Sequence, residues 1–74
     1  MGEANAGESA QRRHLAAAVV ENACARAIST CIDMTQAAQE IGIYDQLCEV
    51  RDALVRLQAA ANAARGDAER ILDQ

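Results

Sequence analysis

The apolar residues of this chain form two heptad stripes that fall out of step at Gly42. Each stripe advances in alternating steps of three and four residues, the spacing that places side chains on one face of a helix. The first stripe is Ala17, Val20, Cys24, Ala27, Cys31, Met34, Ala38 and Ile41, and the second is Leu47, Val50, Leu54, Leu57, Ala61, Ala64, Ala68 and Ile71. Because one uninterrupted helix cannot present both stripes on one face, the chain is expected to turn between residues 42 and 46. In the resulting hairpin we expect both halves of each stripe to pack against the other helix, with Ala38 facing Val50 and Cys31 facing Leu57.

The fold class that this pattern predicts is all-α, an antiparallel two-helix hairpin. Proline is absent, and Ala, Leu, Gln, Glu and Arg, all strong helix formers, are abundant. We expect a disordered tail over residues 1–8 and one helical hairpin over 9–74. Its first helix should span about 10–41, its turn 42–45 and its second helix about 46–72. Gly42 occupies the position of a left-handed residue that ends a helix. A short third helix from Asp67 is the minor alternative.

A single hairpin of this composition has little to bury. Apolar residues make up 51% of the 74 residues, but eighteen residues are alanine, and Tyr44 is the only aromatic. In chains below about 70–80 residues one core rarely supplies more than about 3–5 kcal/mol, so association is expected. We therefore predict a homodimer in which two hairpins form a four-helix bundle. The alternative is that a different protein supplies the missing helices.

Apolar residues that flank the two stripes are the candidates for this second contact. They are Leu15, Val19, Ile28, Ile32, Val55 and Leu72. Ile43 and Tyr44 at the turn complete the predicted interface, because aromatic side chains are enriched in binding hot spots. The alternative for Tyr44 is that it closes the end of the bundle core.

The three cysteines suggest metal or redox chemistry, since thiolates bind zinc and copper(I). Cys24 and Cys31 are seven residues apart, about 10.5 Å along a helix, so one hairpin is not expected to hold a metal ion between them. We interpret both as small buried hydrophobic residues. Cys48 lies off the stripes near the start of the second helix, where the helix dipole favours a thiolate, and is the candidate reactive thiol. A thiol- or metal-responsive regulator that uses cysteines across a dimer interface remains the alternative function.

The remaining composition argues against catalysis and nucleic-acid binding. The net charge is −4, and the only basic cluster is Arg12, Arg13 and His14, which is too small to hold a duplex. His14 is interpreted as a surface residue. No paired acid and base, phosphate loop or His-Glu-x-x-His motif occurs, so no catalytic residue, metal or cofactor is predicted. The predicted function is a small non-enzymatic protein–protein interaction module, such as an adaptor, antagonist or assembly factor.

The sequence also predicts a cellular location. An odd number of cysteines and the absence of a recognisable signal peptide favour a reduced, cytoplasmic protein. No run of about 18 uncharged apolar residues is present, so no membrane contact is expected. The alanine-rich, lysine-free composition is typical of bacterial proteins from GC-rich genomes.

Overall fold

The computed structural model describes residues 2–73, with side-chain burial described for residues 7–73. Three helices follow one another: α1 (Gly2–Asp33), α2 (Thr35–Glu40) and α3 (Tyr44–Leu72). Helices α1 and α2 form one arm, and α3 returns alongside it in the opposite direction. No strand occurs among residues 2–73. The predicted all-α hairpin is confirmed.

The turn is a Schellman motif centred on Gly42. Gly42 has φ +78°, the left-handed conformation expected for it from the sequence. Its N–H donates to the carbonyl of Gln39 at 3.3 Å, and the Ile43 N–H donates to the carbonyl of Ala38 at 2.9 Å. These two bonds satisfy carbonyls that the end of α2 would otherwise leave without a partner.

The helix limits differ from those expected in three places. Helix α1 is described from Gly2, where a disordered tail over residues 1–8 was expected; Met1 of that predicted tail lies outside the described residues. No proline interrupts this segment. Helix α3 begins at Tyr44 instead of residue 46, with Ile43 as its N-cap and no side-chain capping bond. Asp45, expected at the turn, lies in the first helical turn, where its charge complements the helix dipole.

The third difference is a break at Met34 in the expected first helix. The Met34 N–H is shared between the carbonyls of Thr30 and Cys31, at 3.1 and 3.2 Å. The hydroxyl of Thr35 donates to the same Cys31 carbonyl at 3.3 Å. Such a bond does not by itself end a helix, since the Thr30 hydroxyl makes one to the Arg26 carbonyl at 2.9 Å inside α1. The arm is two helices, which meet at Met34.

The two arms face each other along a row of small side chains that recurs every seven residues. The buried members of this row are Ala10, Ala17, Cys24, Cys31, Ala38, Ala61 and Ala68. Leu47 and Leu54, both half-buried, continue the row of α3 toward the turn. Small facing side chains allow the helix axes to approach the lower end of the ~8–10 Å range. We call the seven buried residues, together with Leu47 and Leu54, the small row.

The other half of each heptad stripe lies outside this contact. The large apolar residues three positions after members of the small row are 36–72% exposed, namely Val20, Met34, Ile41, Val50, Leu57 and Ile71, whereas the alanines at the same positions, Ala27 and Ala64, are half-buried. The expectation that both halves pack between the two helices is therefore wrong. The second line of interhelical contact comes instead from residues four positions after the small row, including Glu21 and Arg65.

Polar contacts across the hairpin show its pairing. The His14 ring and the Glu69 carboxylate lie 3.1 Å apart, and the Glu21 carboxylate accepts a bond from Asn62 at 2.8 Å. The pairing expected from the stripes, in which Ala38 faces Val50, would place Glu21 opposite Asp67. The observed partners of the Glu21 carboxylate, Asn62 and Arg65, lie five and two positions earlier, because the chain reverses tightly at Gly42. Ala38 and Leu47 consequently line the same end of the hairpin.

The hairpin is a rod and not a globule. It measures 58 × 17 × 14 Å along its principal axes and has a radius of gyration of 16.9 Å. A compact domain of this length would have a radius of gyration of roughly 11 Å. Two helices joined at one end therefore leave a large fraction of their surface without an intramolecular partner.

Candidate functional site

One broad face of the hairpin carries a long apolar groove between its two arms. Three concavities of about 290–370 Å³ follow one another along this face, and two of them share Val20 and Leu57. Their main lining residues are Ala16, Val20, Ala23, Ala27, Met34, Ala37, Ile41, Ile43, Leu47, Val50, Leu54, Leu57, Ala60 and Ala64. We call this surface the apolar groove. Its length and continuity suit an elongated apolar ligand, such as a helix, better than a small molecule.

The groove is apolar because the exposed half of the heptad stripes lines it. Val20, Met34, Val50 and Leu57 line it, each at least one-third exposed. Only Arg13 and Gln46 contribute polar side chains to its lining. A contiguous exposed apolar surface is costly to solvate, and on small proteins it is typical of interaction sites.

Side-chain size changes along the groove. At the turn end, the lining includes Met34, Ile41, Leu47 and Val50. At the open end, where the chain termini lie, alanines line the groove around Val20 and Leu57: Ala16, Ala17, Ala60, Ala61 and Ala64. The turn end therefore projects large side chains, and the open end presents a shallow hollow.

Charge also differs between the two ends. Residues 33–56, which include the turn, carry five carboxylates and two arginines. The opposite end carries the paired Arg12 and Arg13, with Arg13 on the groove itself. The rest of the chain carries six carboxylates and five arginines, so the turn end has a net charge of −3 and the remainder of −1.

The structure does not bring the predicted interface residues together on one face. Leu15, Val19, Ile32, Val55 and Leu72 are exposed, between 45 and 66%. Val19 borders the apolar groove, whereas Val55 lines a polar concavity beside Glu21, Gln58 and Asn62.

The rest of the predicted interface lies between the helices or at the turn. Ile28 is half-buried in the hairpin contact. Ile43 lines the turn end of the apolar groove, while Tyr44 is 36% exposed at the start of α3.

Apart from Val19 and Ile43, the residues that form the groove were missed as a site, because the sequence interpretation assigned the stripe residues to the hairpin contact. The distribution of small and large residues within the heptads could have indicated which half packs between the arms. In the first stripe, one half consists only of alanine and cysteine, while the other includes Val20, Met34 and Ile41. Small residues permit close approach of two backbones, so the small half was the better candidate for the tight intramolecular contact.

The cysteines fall into two environments. Cys24 and Cys31 are buried in the small row, 3 and 4% exposed, while Cys48 is half-buried near the turn. All three thiols are free. No group of three or more His, Cys, Asp or Glu side chains with metal-binding geometry occurs within the part of the chain that the structure describes.

Cys48 is one turn after Tyr44 and interacts with it. A hydrogen bond to Cys48, together with the charge of its thiolate, raises the pKa of the Tyr44 hydroxyl above the ordinary value of 10.0. Arg51 acts in the opposite direction, since its positive charge favours the tyrosinate. The candidate reactive thiol therefore belongs to a small Tyr–Cys–Arg cluster on the first turns of α3.

One segment of α1 is long and apolar enough to cross a membrane by length and composition alone. Within Gly7–Asp33, an 18-residue window reaches a mean hydropathy of 1.3, and 17% of that window is buried. Glu21 and Arg26 lie inside the segment. Core helices of soluble proteins and signal sequences meet the same criterion.

Comparisons with protein-family models, with curated proteins and with solved structures gave no match to this chain. The site is defined by its own geometry: an apolar, elongated groove along which the size of the side chains and the net charge change from one end to the other.

Proposed function

We propose that this chain is a small, non-enzymatic protein–protein interaction module, an adaptor, antagonist or assembly factor, and that the apolar groove is its working surface. Helices that dock in the groove complete a four-helix bundle, the arrangement in which two antiparallel helices bury their remaining apolar faces. The observation that carries this proposal is the exposure of Met34, Val50 and Leu57 along one continuous apolar face.

The hairpin's own energetics support the proposal. Its buried row consists of alanine and cysteine, apart from the half-buried leucines of α3. Burial stabilises by about 25 cal/mol per Å² of apolar surface, so these small side chains contribute little. Docking of a partner on the groove would bury the larger side chains that the hairpin leaves in water, and would stabilise the fold by mass action.

The alternative function, a thiol- or metal-responsive regulator, has less support. Cys24 and Cys31 face the opposite arm of the same hairpin, where they pack among alanines. Cys24 also contributes to the wall of the apolar groove, but it is only 3% exposed, so little of its side chain is accessible to a metal ion.

A pair of valine substitutions on α3 tests the working surface. Val50 lies in the apolar groove and is 54% exposed, whereas Val55 lies outside it and is 48% exposed. We expect Val50→Asp to abolish association, because it places a charge in the apolar contact, and Val55→Asp to leave association intact. Sedimentation velocity of both variants at micromolar concentration measures this difference.

Three results would contradict the proposal. One is a wild-type chain that sediments as a cooperatively folded monomer and binds no helical partner. A second is association that survives Val50→Asp but is lost in Val55→Asp, which would place the working surface on the opposite face. Binding of the monomer to lipid vesicles through the groove would likewise replace a protein partner with a membrane.

A further inference from the structure

We infer that the partner in the groove is a second copy of this chain, docked antiparallel, so that the turn end of each hairpin lies on the open end of the other. This inference rests on the proposed function, since it names the occupant of the same groove. Three observations carry it: the area that the hairpin leaves exposed, the size gradient and the charge gradient.

The exposed area matches what a dimer requires. The chain exposes 5422 Å², whereas a globular monomer of 7.9 kDa exposes roughly 4400 Å². The excess of about 1000 Å² is close to the roughly 800 Å² that each partner buries in a standard stable interface. A second hairpin of the same length could therefore cover the groove along its whole extent.

The size gradient makes the groove complementary to its own reversed copy. A two-fold dimer must pair the same patch with itself, so that the contact of one residue with another occurs twice. In the antiparallel arrangement, Met34 and Val50 of each copy meet the alanine-lined hollow around Ala16 and Ala64 of the other. In a parallel arrangement, large side chains would collide at one end and alanines would leave a void at the other, and both outcomes destabilise a packed core.

The charge gradient favours the same orientation. The acidic turn end of one hairpin would lie beside Arg12 and Arg13 of the other, whereas a parallel pair would bring the two acidic turns together. Complementary charges mainly select register and orientation, and like charges disfavour the wrong partner geometry. Size and charge therefore disfavour the parallel dimer independently.

The inter-copy distance between spin labels at the turn distinguishes the two orientations. The experiment uses a background in which Cys24, Cys31 and Cys48 are replaced by alanine, with a nitroxide on Asp45→Cys. Asp45 lies level with residue 40 of the other arm, thirteen residues from Ala27 at the middle of the groove. At about 1.5 Å per residue, antiparallel docking separates the two labels by about 40 Å or more. Parallel docking brings them within about 25 Å, because neighbouring helix axes lie ~8–10 Å apart.

Two controls accompany this measurement. A label on Ser29→Cys, near the middle of the arm, should give a short inter-copy distance in either orientation and so reports pairing itself. A label on Glu40→Cys replaces the Asp45 label if that variant fails to fold, since both positions are exposed at the turn end.

Each outcome has a separate meaning. Long distances at the turn with a short distance at Ser29 support the inference. Short distances at both sites overturn the antiparallel arrangement but leave the interaction module intact. A chain that shows no inter-copy distance and sediments as a folded monomer overturns self-association. If such a monomer binds a different protein through the groove, the proposed function survives without the second copy.

Discussion

The Glu21 carboxylate binds Asn62 and Arg65 across the hairpin, with its oxygens 2.8 Å from Asn62 Nδ2 and 3.1 Å from Arg65 Nε. Its backbone carbonyl accepts a further bond, at 3.4 Å, from Gln58. The Glu21 side chain is 16% exposed, the least exposed of the ion-paired carboxylates in the described residues. One residue of α1 thus contacts two successive turns of α3, which makes Glu21 a determinant of the pairing between the arms.

Replacement of Glu21 should therefore destabilise the hairpin. Hydrogen bonds to charged groups contribute about 1.5–3 kcal/mol, so we expect Glu21→Ala to lower the free energy of unfolding by roughly 1–2 kcal/mol after solvent screening of the half-exposed Arg65. Glu21→Gln should cost less, because the amide oxygen can still accept from Asn62. Urea denaturation at one fixed protein concentration measures both.

Glu49→Ala is the control for this series. Glu49 is exposed on α3, and a surface substitution of this kind is expected to change stability by no more than about 0.5 kcal/mol. Equal effects of Glu21→Ala and Glu49→Ala would show that the contacts of Glu21 contribute nothing specific.

Two glycine substitutions should have opposite effects on stability. At Gly42, φ is +78° and an added Cβ would meet no atom within 4 Å, so Gly42→Ala carries only the conformational penalty, about 1–2 kcal/mol. At Gly66, inside α3, the added Cβ also meets open space, and Gly66→Ala should stabilise by about 0.5–1 kcal/mol. Thermal unfolding of the two variants in parallel checks the sign of each change. A Gly42→Ala variant as stable as the wild type would contradict the left-handed turn.

The small row should tolerate alanine at Cys24 but not a larger residue. Cys24 is 3% exposed between the arms, so Cys24→Leu would force the helices apart and is expected to cost about 1–3 kcal/mol. Cys24→Ala removes one sulfur from a row already composed of alanines and should cost less. Denaturant midpoints distinguish the two. The same pair of changes at the exposed Ser29 provides the control, since neither residue would be buried there.

Tyr44 should ionise at higher pH in the folded chain than in a model peptide. Since Cys48 raises its pKa above 10.0, the phenol keeps its proton in the folded chain at a pH where the unfolded chain releases it. The linked contribution to stability is therefore present below pH 10 and is lost as the pH rises through the folded pKa.

The tyrosinate absorbance in the near ultraviolet reports this titration without interference, because the chain has no Trp and no second Tyr. Cys48→Ala should move the midpoint back toward 10.0, whereas Arg51→Gln should move it further upward. An unchanged midpoint in Cys48→Ala would show that the thiol does not act on Tyr44.

Much of the architecture could be predicted from local sequence. The heptad stripes define two helices, and the change of register at Gly42 predicts the turn, because only a residue without Cβ adopts φ +78° at little cost. The break at Met34 was not predicted. It is marked by the Met34 N–H, which is shared between the carbonyls of Thr30 and Cys31, and heptad periodicity carries no information about such a local distortion.

The sequence by itself determined that this chain forms helices, that they reverse at Gly42 and that each bears an apolar stripe. Only the tertiary structure decided which half of each stripe faces the other arm. Cys24 and Ala61 are buried while Val20 and Leu57 remain exposed, because close approach of two backbones favours small side chains and because Glu21 finds its partners across that contact. Periodicity shows which face of a helix is apolar, but only to within about one heptad position. Packing between segments distant in sequence determines which residues of that face are buried between the arms, and therefore which residues remain exposed and line the groove.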